Sequence, residues 1–233
     1  MAGEIFKRGF VKNEEKSGNM RPLIEVIVPT YRRPDFLLLL IQSLKVQTFG
    51  NWKMSVIIDS KDDVESIELM KGESKENISY VIIEGPHKDW GHTAREYGLR
   101  HASSDWVLMT GDDNYYVPTF VEYFTTSIVE NPNSILHYSN LVCGSVDTKN
   151  YPLKSNYVLM DTKIKRGVID ICCFLTKTQL AKEIGYPFRT ISGDYDYLDA
   201  YLFKFGKQAL SLVTKEIMYS NIVKINKFLC VHN

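Results

Sequence analysis

Two adjacent carboxylates, Asp112 and Asp113, follow Gly111 at the end of a run of apolar and β-compatible residues, Trp106 to Thr110. Such a run is typical of a strand buried on both faces, where ionised acids cannot lie without a compensating charge. The acids must therefore lie at the exit of the strand. The carboxyl ends of strands in an open α/β sheet bind ligands, so a cation and an anionic ligand could meet here. The alternative is that Gly-Asp-Asp-Asn serves only as a turn.

The strand that carries these acids is the fourth of a regular series. Strands are predicted to begin near residues 24, 54, 78 and 105, and this spacing suits strand-helix-strand units. Helices are predicted after Pro34, over residues 93–102 and after Pro118. The β-branched run from Ile24 to Val28 is predicted to end at Pro29. The first half of the chain is thus predicted to form a parallel, Rossmann-like sheet.

The second half is predicted to add strands over residues 135–146, 168–176, 208–213 and 216–222 and helices over residues 177–184 and 194–205. Residues 147–167 are polar and irregular, and we expect a loop there that carries specificity for the substrate. Residues 1–22 lack apolar periodicity and are predicted to form an N-terminal arm. Residues 23–233 are predicted to form a single α/β domain.

The composition is that of an ordinary globular protein, and its charge argues against one class of partner. With 28 basic and 28 acidic residues, the formal net charge is zero, so nothing favours nucleic acid as a partner. Four cysteines without Cys-x-x-Cys spacing, and no secretory signal pattern, predict reduced thiols and a cytoplasmic location. The longest apolar run, Phe36 to Ile41, is too short to span a bilayer. Association with a membrane surface or with a partner protein stays open.

An ordered set of segments resembles the GT-A fold glycosyltransferases, in particular family 2, whose members are mostly inverting. The segments are Pro29-Thr30-Tyr31, Asp59, Ala94-Arg95 with Gly98, the acidic cluster at Asp112, and Gly193-Asp194-Tyr195-Asp196. The resemblance covers roughly residues 23 to 222. It implies a single GT-A domain with a mostly parallel central sheet flanked by helices. It also implies transfer of a sugar from a nucleotide-diphosphate sugar, with UDP favoured, to a hydroxyl acceptor on a glycan, lipid or protein.

In that family, the exit of the first strand and the aspartate after the second strand hold the nucleotide base. The matching residues are Thr30, Tyr31 and Asp59, and Arg95 matches an arginine that faces the donor. An aromatic ring suits a nucleobase, a carboxylate accepts its N–H groups, and a guanidinium suits a diphosphate. Glu96 replaces the asparagine that is usual in the family, so only Arg95 is carried over. The alternative for Arg95 is a surface ion pair.

The DxD motif of the family binds a divalent metal on the donor diphosphate, and carboxylates are hard ligands suited to Mg²⁺ or Mn²⁺. Gly111 stands where the first Asp of the motif is common. This departure leaves Asp113 as the predicted metal ligand and Asp112 as a ligand of the metal or of the nucleotide-sugar ribose. His232 matches a histidine that some GT-A enzymes supply to the metal, and its alternative is a disordered penultimate residue.

Inverting transfer needs a base that takes the proton of the acceptor hydroxyl. Asp194 matches the aspartate of the family's Glu-Asp pair, and Gly193 stands in place of the glutamate. The missing glutamate leaves Asp196 as the alternative base. Asp194 could instead be the N-cap of the predicted helix.

Two other functions stay open. A non-catalytic sugar-nucleotide-binding or scaffold protein of the same fold would explain why Gly111 and Gly193 stand where acids are common. A sugar-phosphate nucleotidyltransferase would also use metals held by aspartates. That chemistry normally requires a glycine-rich loop after the first strand, and Pro-Thr-Tyr-Arg-Arg contains no glycine.

Overall fold

The computed structural model of the protein describes residues 23–75, 77–144, 157–187, 190, 192–206 and 221–232. The predicted arm over residues 1–22 and the predicted strand over residues 208–213 lie outside these ranges, as does most of the predicted strand over residues 216–222. In the described part of the chain, no helix combines the length and the apolar character needed to cross a membrane.

The first half of the chain forms four parallel strands joined by helices, as the spacing predicts. Strands β1 (Ile24–Thr30), β2 (Trp52–Ile58), β3 (Ile78–Ile82) and β4 (Trp106–Met109) lie in the order β3-β2-β1-β4. Helices α1 (Pro34–Lys45), α2 (Val64–Glu73) and α3 (His92–His101) connect them. All neighbours in this half pair in parallel, so the four strands end at the same edge of the sheet. The predicted α/β class is confirmed.

Strand β1 continues past Pro29 to Thr30, which corrects the predicted end of the strand. The carbonyl of Ile27 faces β4, where it accepts from the amide of Thr110 at 3.0 Å. Pro29 faces the same side two residues later, beyond the last pair between β1 and β4. Its missing N–H therefore removes no ladder bond. On the other side, the carbonyl of Thr30 accepts from the amide of Asp59 at 2.9 Å and joins the exits of β1 and β2.

The second half extends the same sheet with strands of both directions. It comprises β5 (Tyr115–Tyr116), α4 (Phe120–Glu130), β6 (Leu136–Cys143), β7 (Val158–Met160), β8 (Phe174–Lys177), α5 (Thr178–Ile184), α6 (Gly193–Tyr201) and β9 (Ile222–His232). The sheet continues from β4 as β8-β6-β9-β5, with β7 paired to β6. Strand β8 is antiparallel to β4 and β6, whereas β9 is parallel to β6.

Four elements of the second half differ from the sequence-based expectation. Strand β7 lies within the predicted loop over residues 147–167 and pairs with β6. The predicted strand over residues 168–176 is shorter, because Ile171–Cys173 forms a 3-10 turn in which the Asp170 carboxylate accepts from the Cys172 amide at 2.9 Å. Helix α6 ends at Tyr201 and continues as a π-helical turn, Leu202–Gly206. Strand β9 begins at the last residue of the predicted strand over residues 216–222 and is not predicted beyond it, because its residues show no strict alternation of apolar and polar types. Its pairing with β6 is irregular.

Helix α3 lies directly on β1 and β2 because Gly98 allows a close approach. A Cβ at Gly98 would lie 2.4 Å from Ile27 Cγ2 and 2.9 Å from Ile57 Cδ1, so a side chain there would lift the helix from the sheet. Ala94 is buried on the same face. The first turn of α3, which contains Arg95, is thereby held at the carboxyl ends of the parallel strands.

Candidate active site

A cavity of about 360 Å³ opens at the carboxyl ends of β1, β2 and β4. Its wall contains every residue to which the sequence analysis assigns a donor or metal role, together with the first choice of base: Thr30, Tyr31, Asp59, Arg95, Asp112, Asp113, Asp194 and His232. Arg33, Trp90 and Asp170 line the same cavity, although the sequence motifs assign them no role. The fold thus brings residues from both halves of the chain into one site.

Asp112 is the more buried acid of the turn and is held by two partners. The Thr30 hydroxyl donates to its Oδ2 at 2.8 Å, and Arg33 Nη1 lies 3.0 Å from its Oδ1. Burial raises the pKa of Asp112 to about 6, although Arg33 and Thr30 both favour the ionised form. Thr30 therefore acts on the acidic turn as well as lining the cavity.

Arg33 bridges both carboxylates of the acidic turn. Its Nη2 donates to Asp113 Oδ2 at 2.8 Å while its Nη1 pairs with Asp112. The guanidinium lies over the ring of Phe36, 4.7 Å from the centroid, and its side chain is 42% exposed. A forked guanidinium suits two acceptors, so the positive charge of Arg33 compensates the two negative charges of Asp112 and Asp113. The available sequence signal was the second arginine of Pro-Thr-Tyr-Arg-Arg, which follows a strand exit as the two acids do.

A hydrogen-bonded network behind the turn positions Asn114 and His232. Asn114 Nδ2 donates to Thr110 Oγ1 at 3.0 Å, and its Oδ1 lies 2.9 Å from His232 Nδ1. The Tyr116 hydroxyl donates to the same Thr110 oxygen at 2.8 Å. Because His232 is the last residue of β9, that strand places the imidazole in the cavity wall.

The acidic turn fits a hard divalent cation, whereas His232 groups with other residues. Two carboxylates supply the oxygen ligands that Mg²⁺ and Mn²⁺ prefer. A Cβ at Gly111 would lie 2.6 Å from Asp113 Oδ1, so the glycine makes room for that carboxylate where the motif commonly has an acid. The ligand atoms of Asp170, Cys172 and His232 lie within 4.8 Å of one another, and this group contains neither acid of the turn. His232 thus lies beside Asp170, with its Nε2 3.9 Å from Asp170 Oδ2, and it lines the same cavity as Asp113.

Asp59 is buried at the exit of β2 and is engaged by the segment that follows β3. Its Oδ2 accepts from the His87 amide at 3.0 Å, and its Oδ1 contacts His87 Nδ1. A Cβ at Gly85 would lie 2.6 Å from Asp59 Oδ1, so this segment passes close to the carboxylate. Tyr31 lies in the same wall, with the Arg32 guanidinium 5.2 Å from the centroid of its ring. A ligand that donates to Asp59 would share it with His87.

Arg95 is buried, so it is not the surface ion-pair partner that the alternative describes. Its Nη1 donates to the carbonyl of Trp90 at 2.8 Å. Its Nε is buried without a hydrogen-bond partner among the described residues. The positive charge of Arg95 favours the ionised forms of Asp112 and Asp194. A buried guanidinium with an unsatisfied N–H suits an anionic ligand in the cavity.

Asp194 reaches the cavity from the first turn of α6. The Tyr186 hydroxyl donates to its Oδ1 at 2.8 Å. Burial and the nearby charge of Asp170 raise the pKa of Asp194, while Arg95 and the bond from Tyr186 favour the ionised carboxylate. The N-cap of α6 is Ser192, so the alternative in which Asp194 caps the helix is wrong.

Asp196, the alternative base, is not among the residues that line the cavity. Its Oδ2 accepts from the hydroxyls of Thr190 and Ser192 at 2.8 Å and 3.1 Å, and its other oxygen pairs with Arg166. The bond from Thr190 and these further contacts lower the pKa of Asp196. The geometry therefore favours Asp194 of the two.

The fold is similar to that of solved glycosyltransferases of the GT-A type. The solved structure of S. aureus TarS 1-349 is 17% identical with a TM-score of 0.63, and the match covers 90% of this chain and 60% of that chain. Mannosyltransferase PcManGT from Pyrobaculum calidifontis is 16% identical with a TM-score of 0.59, covering 91% of this chain and 57% of that chain. At these identities the likeness shows the fold alone.

The family follows from the sequence comparison. The model of glycosyl transferase family 2 matches residues 25–185, and the chain belongs to this family. An uncharacterised glycosyltransferase of Rickettsia typhi is 25% identical over 199 residues, which are 78% of this chain and 58% of the relative. One of Haemophilus influenzae is 26% identical over 125 residues, 54% of this chain and 41% of the relative. The matches thus span about half the length of these curated relatives.

Proposed function

We propose that this protein is an inverting, metal-dependent glycosyltransferase that moves a sugar from a UDP-sugar to a hydroxyl acceptor on a glycan, lipid or protein. The observation that supports this most strongly is that the acidic turn after β4 and Asp194 from α6 line one cavity. Inversion requires a base on the face of the sugar opposite the leaving group, and two separate carboxylate groups in one cavity suit this arrangement. Family membership supports glycosyl transfer itself.

The nucleotide would bind at the exits of β1 and β2. Tyr31 offers an aromatic face to the base, and Asp59 offers a carboxylate to its N–H groups. Arg95 would face the diphosphate with its buried guanidinium. TarS has been solved with UDP and with UDP-GlcNAc, which favours a uracil nucleotide. PcManGT has been solved with GDP-Man, so guanine is the alternative base.

Asp113, together with Asp112, would hold Mn²⁺ or Mg²⁺. Such a cation, when bound, neutralises charge on the departing nucleoside diphosphate. The structure of PcManGT with Mn²⁺ supports a cofactor of this kind. Arg33 occupies Asp113 Oδ2 at 2.8 Å, so it would have to share or release that oxygen. His232 lines the same cavity and would be a further ligand, with its Nδ1 engaged by Asn114 and its Nε2 3.9 Å from Asp170.

Asp194 would take the proton of the acceptor hydroxyl as that oxygen bonds to the sugar. Tyr186 orients the carboxylate through its hydrogen bond, and the backbone N–H of Ile171 also donates to it. Because burial raises the pKa of Asp194, the ionised carboxylate is a stronger proton acceptor than an exposed one. Asp194, held by Tyr186 from behind the wall, would thus form the catalytic side of the cavity.

The decisive experiment incubates the protein with UDP-, GDP- and dTDP-sugars and Mn²⁺ and measures donor binding and release of the nucleoside diphosphate separately. Release from a UDP-sugar that depends on Mn²⁺ is the expected result. Binding without release from any donor would favour a scaffold. Formation of pyrophosphate from a nucleoside triphosphate and a sugar phosphate would favour a nucleotidyltransferase.

Asp194→Asn tests the base in the same assay. The amide oxygen can still accept from Tyr186, but the side chain cannot take a proton, so turnover should fall by on the order of 10²-fold or more. Donor binding and melting temperature should equal those of the parent. Asp196→Asn is the matched control, because Asp196 belongs to the same helix turn and is not among the residues lining the cavity. Near-normal turnover of Asp194→Asn would remove Asp194 from the mechanism.

The place where the protein works stays a prediction. The cysteines are free, including Cys172 and Cys230, which form no disulfide although Cys172 Sγ donates to Cys230 Sγ at 3.9 Å. Reduced thiols this close fit a reducing compartment, which supports a cytoplasmic location. Binding to a membrane surface or to a partner protein would serve a lipid or protein acceptor.

A further inference from the structure

Trp90 is a large aromatic residue left in solvent at the wall of the candidate active site. Its relative exposure is 64%, whereas Trp52 and Trp106 are 5% and 3% exposed. The cavity around it is otherwise lined mostly by polar and charged side chains. An exposed indole at a binding cavity is a common anchor for a ligand, since it offers a rigid apolar face of large area.

The backbone around Trp90 is in a strained conformation. Trp90 and Lys88 adopt the left-handed region with φ of 57° and 54°, and Gly91 follows at 79°. The left-handed conformation costs non-glycine residues roughly 1–2 kcal/mol each. Arg95 donates to the Trp90 carbonyl at 2.8 Å, and a Cβ at Gly91 would lie 2.8 Å from Pro29, so the segment is packed on β1. Strain kept at a cavity wall by such contacts points to a function of the residue that it presents.

Ring contacts place Trp90 on the side of Asp194. The Trp90 ring lies 6.1 Å from the His92 ring, which stacks on Tyr186 at 5.3 Å. Tyr186 in turn donates to Asp194. Trp90 belongs to the connection between β3 and α3. The other end of this connection lies at the proposed nucleotide end of the cavity, because the His87 amide donates to Asp59 there. Trp90 therefore belongs with the proposed base and not with the residues proposed to hold the nucleobase.

We propose that Trp90 is the platform of the acceptor subsite and that it stacks on a pyranose ring of a carbohydrate acceptor. This proposal rests on the proposed glycosyl transfer and names the class of acceptor. A pyranose presents an apolar C–H face to an indole and directs its hydroxyls to the sides. Lys88 and Asp89 flank Trp90 in the cavity wall; the exposed Lys88 supplies a polar group at that rim, whereas Asp89 Oδ2 accepts from Thr93. One acceptor hydroxyl would then lie toward Asp194.

Intrinsic fluorescence tests this subsite without any turnover. Because the other two tryptophans are buried, acrylamide should quench mainly Trp90. Methyl glycosides of glucose, galactose, mannose and N-acetylglucosamine are the probes, with Mn²⁺ and UDP present. At least one glycoside should protect the emission from quenching, and Trp90→Phe should remove most of the quenchable signal. If none of these glycosides protects Trp90, the carbohydrate platform is refuted, whatever the donor assays show.

Kinetics with the best glycoside as acceptor separate this subsite from the donor site. Trp90→Ala should raise the KM for the glycoside by about tenfold or more, since an aromatic anchor commonly contributes this much. Its affinity for UDP with Mn²⁺ should be unchanged. Phe203→Ala is the control, because Phe203 is equally exposed at 64% and does not line the cavity. Weaker UDP binding by Trp90→Ala would assign Trp90 to the donor instead. Failure of the parent to release nucleotide from any donor would refute the glycosyl transfer alone.

Discussion

The hydrogen bond from Tyr186 to Asp194 should set the pH at which the protein becomes active. The bond is 2.8 Å long, and Asp194 is also affected by burial, Asp170 and Arg95. Tyr186→Phe removes a donor to a carboxylate, and hydrogen bonds to charged groups contribute about 1.5–3 kcal/mol. Loss of this stabilisation of the ionised carboxylate should raise the pKa of Asp194 further.

The sign of the effect on rate follows from the role of Asp194. A base must be ionised to accept a proton, and the bond from Tyr186 favours the ionised form. Its loss should move the acidic limb of the profile of kcat/KM against pH to higher pH, and kcat/KM at a pH on that limb should fall by about tenfold or more. Activity lost at the parent's working pH should return at higher pH. The measurement is nucleoside diphosphate release from the preferred UDP-sugar across the pH range.

A matched control separates this effect from damage to the fold. Tyr201 is also fully buried, and its hydroxyl donates to the carbonyl of Ile135 at 2.8 Å, away from the cavity. Tyr201→Phe should lower stability without moving the pH profile. An equal loss of activity by Tyr186→Phe at every pH would contradict this role, because Tyr186 would then act only through packing and Asp194 would not be the titrating base.

Two further predictions concern the metal and the stability of the fold. Asp113→Ala should lose Mn²⁺-dependent binding of UDP in calorimetry and keep the melting temperature of the parent. The reason is that this half-buried acid compensates charge and does not pack in the core. Binding equal to the parent's would contradict the metal assignment. Burial, with a smaller effect of Lys177, lowers the pKa of His137 from 6.5 to about 4. The contribution of neutral His137 to the free energy of unfolding is therefore complete above about pH 6.5 and is lost as the pH falls toward 4. In urea unfolding, the stability gap between the parent and His137→Gln should therefore narrow by about 3 kcal/mol between pH 7 and pH 4, and a constant gap would show that His137 does not titrate in this way.

Local sequence determined where the strands run and where their charges fall. An apolar run such as Trp106–Met109 can be buried on both faces only if its acids follow it, so Asp112 and Asp113 had to lie at the strand exit. The same reasoning placed Asp59 after β2. Regular spacing of the strands determined the parallel half of the sheet, and parallel strands end at one edge. The location of the cavity was therefore predictable from the sequence.

Which side chains act on one another inside that cavity depends on how distant parts of the chain pack together. Arg33 pairs with Asp113 across 80 positions of the chain, and Asn114 meets His232 across 118. The exposure of Trp90 likewise depends on its left-handed backbone and on the bond to Arg95. Periodicity reports only which face of one element is apolar. Contacts between distant residues arise from the packing of whole elements, so their partners could not be deduced from the pattern of any single segment.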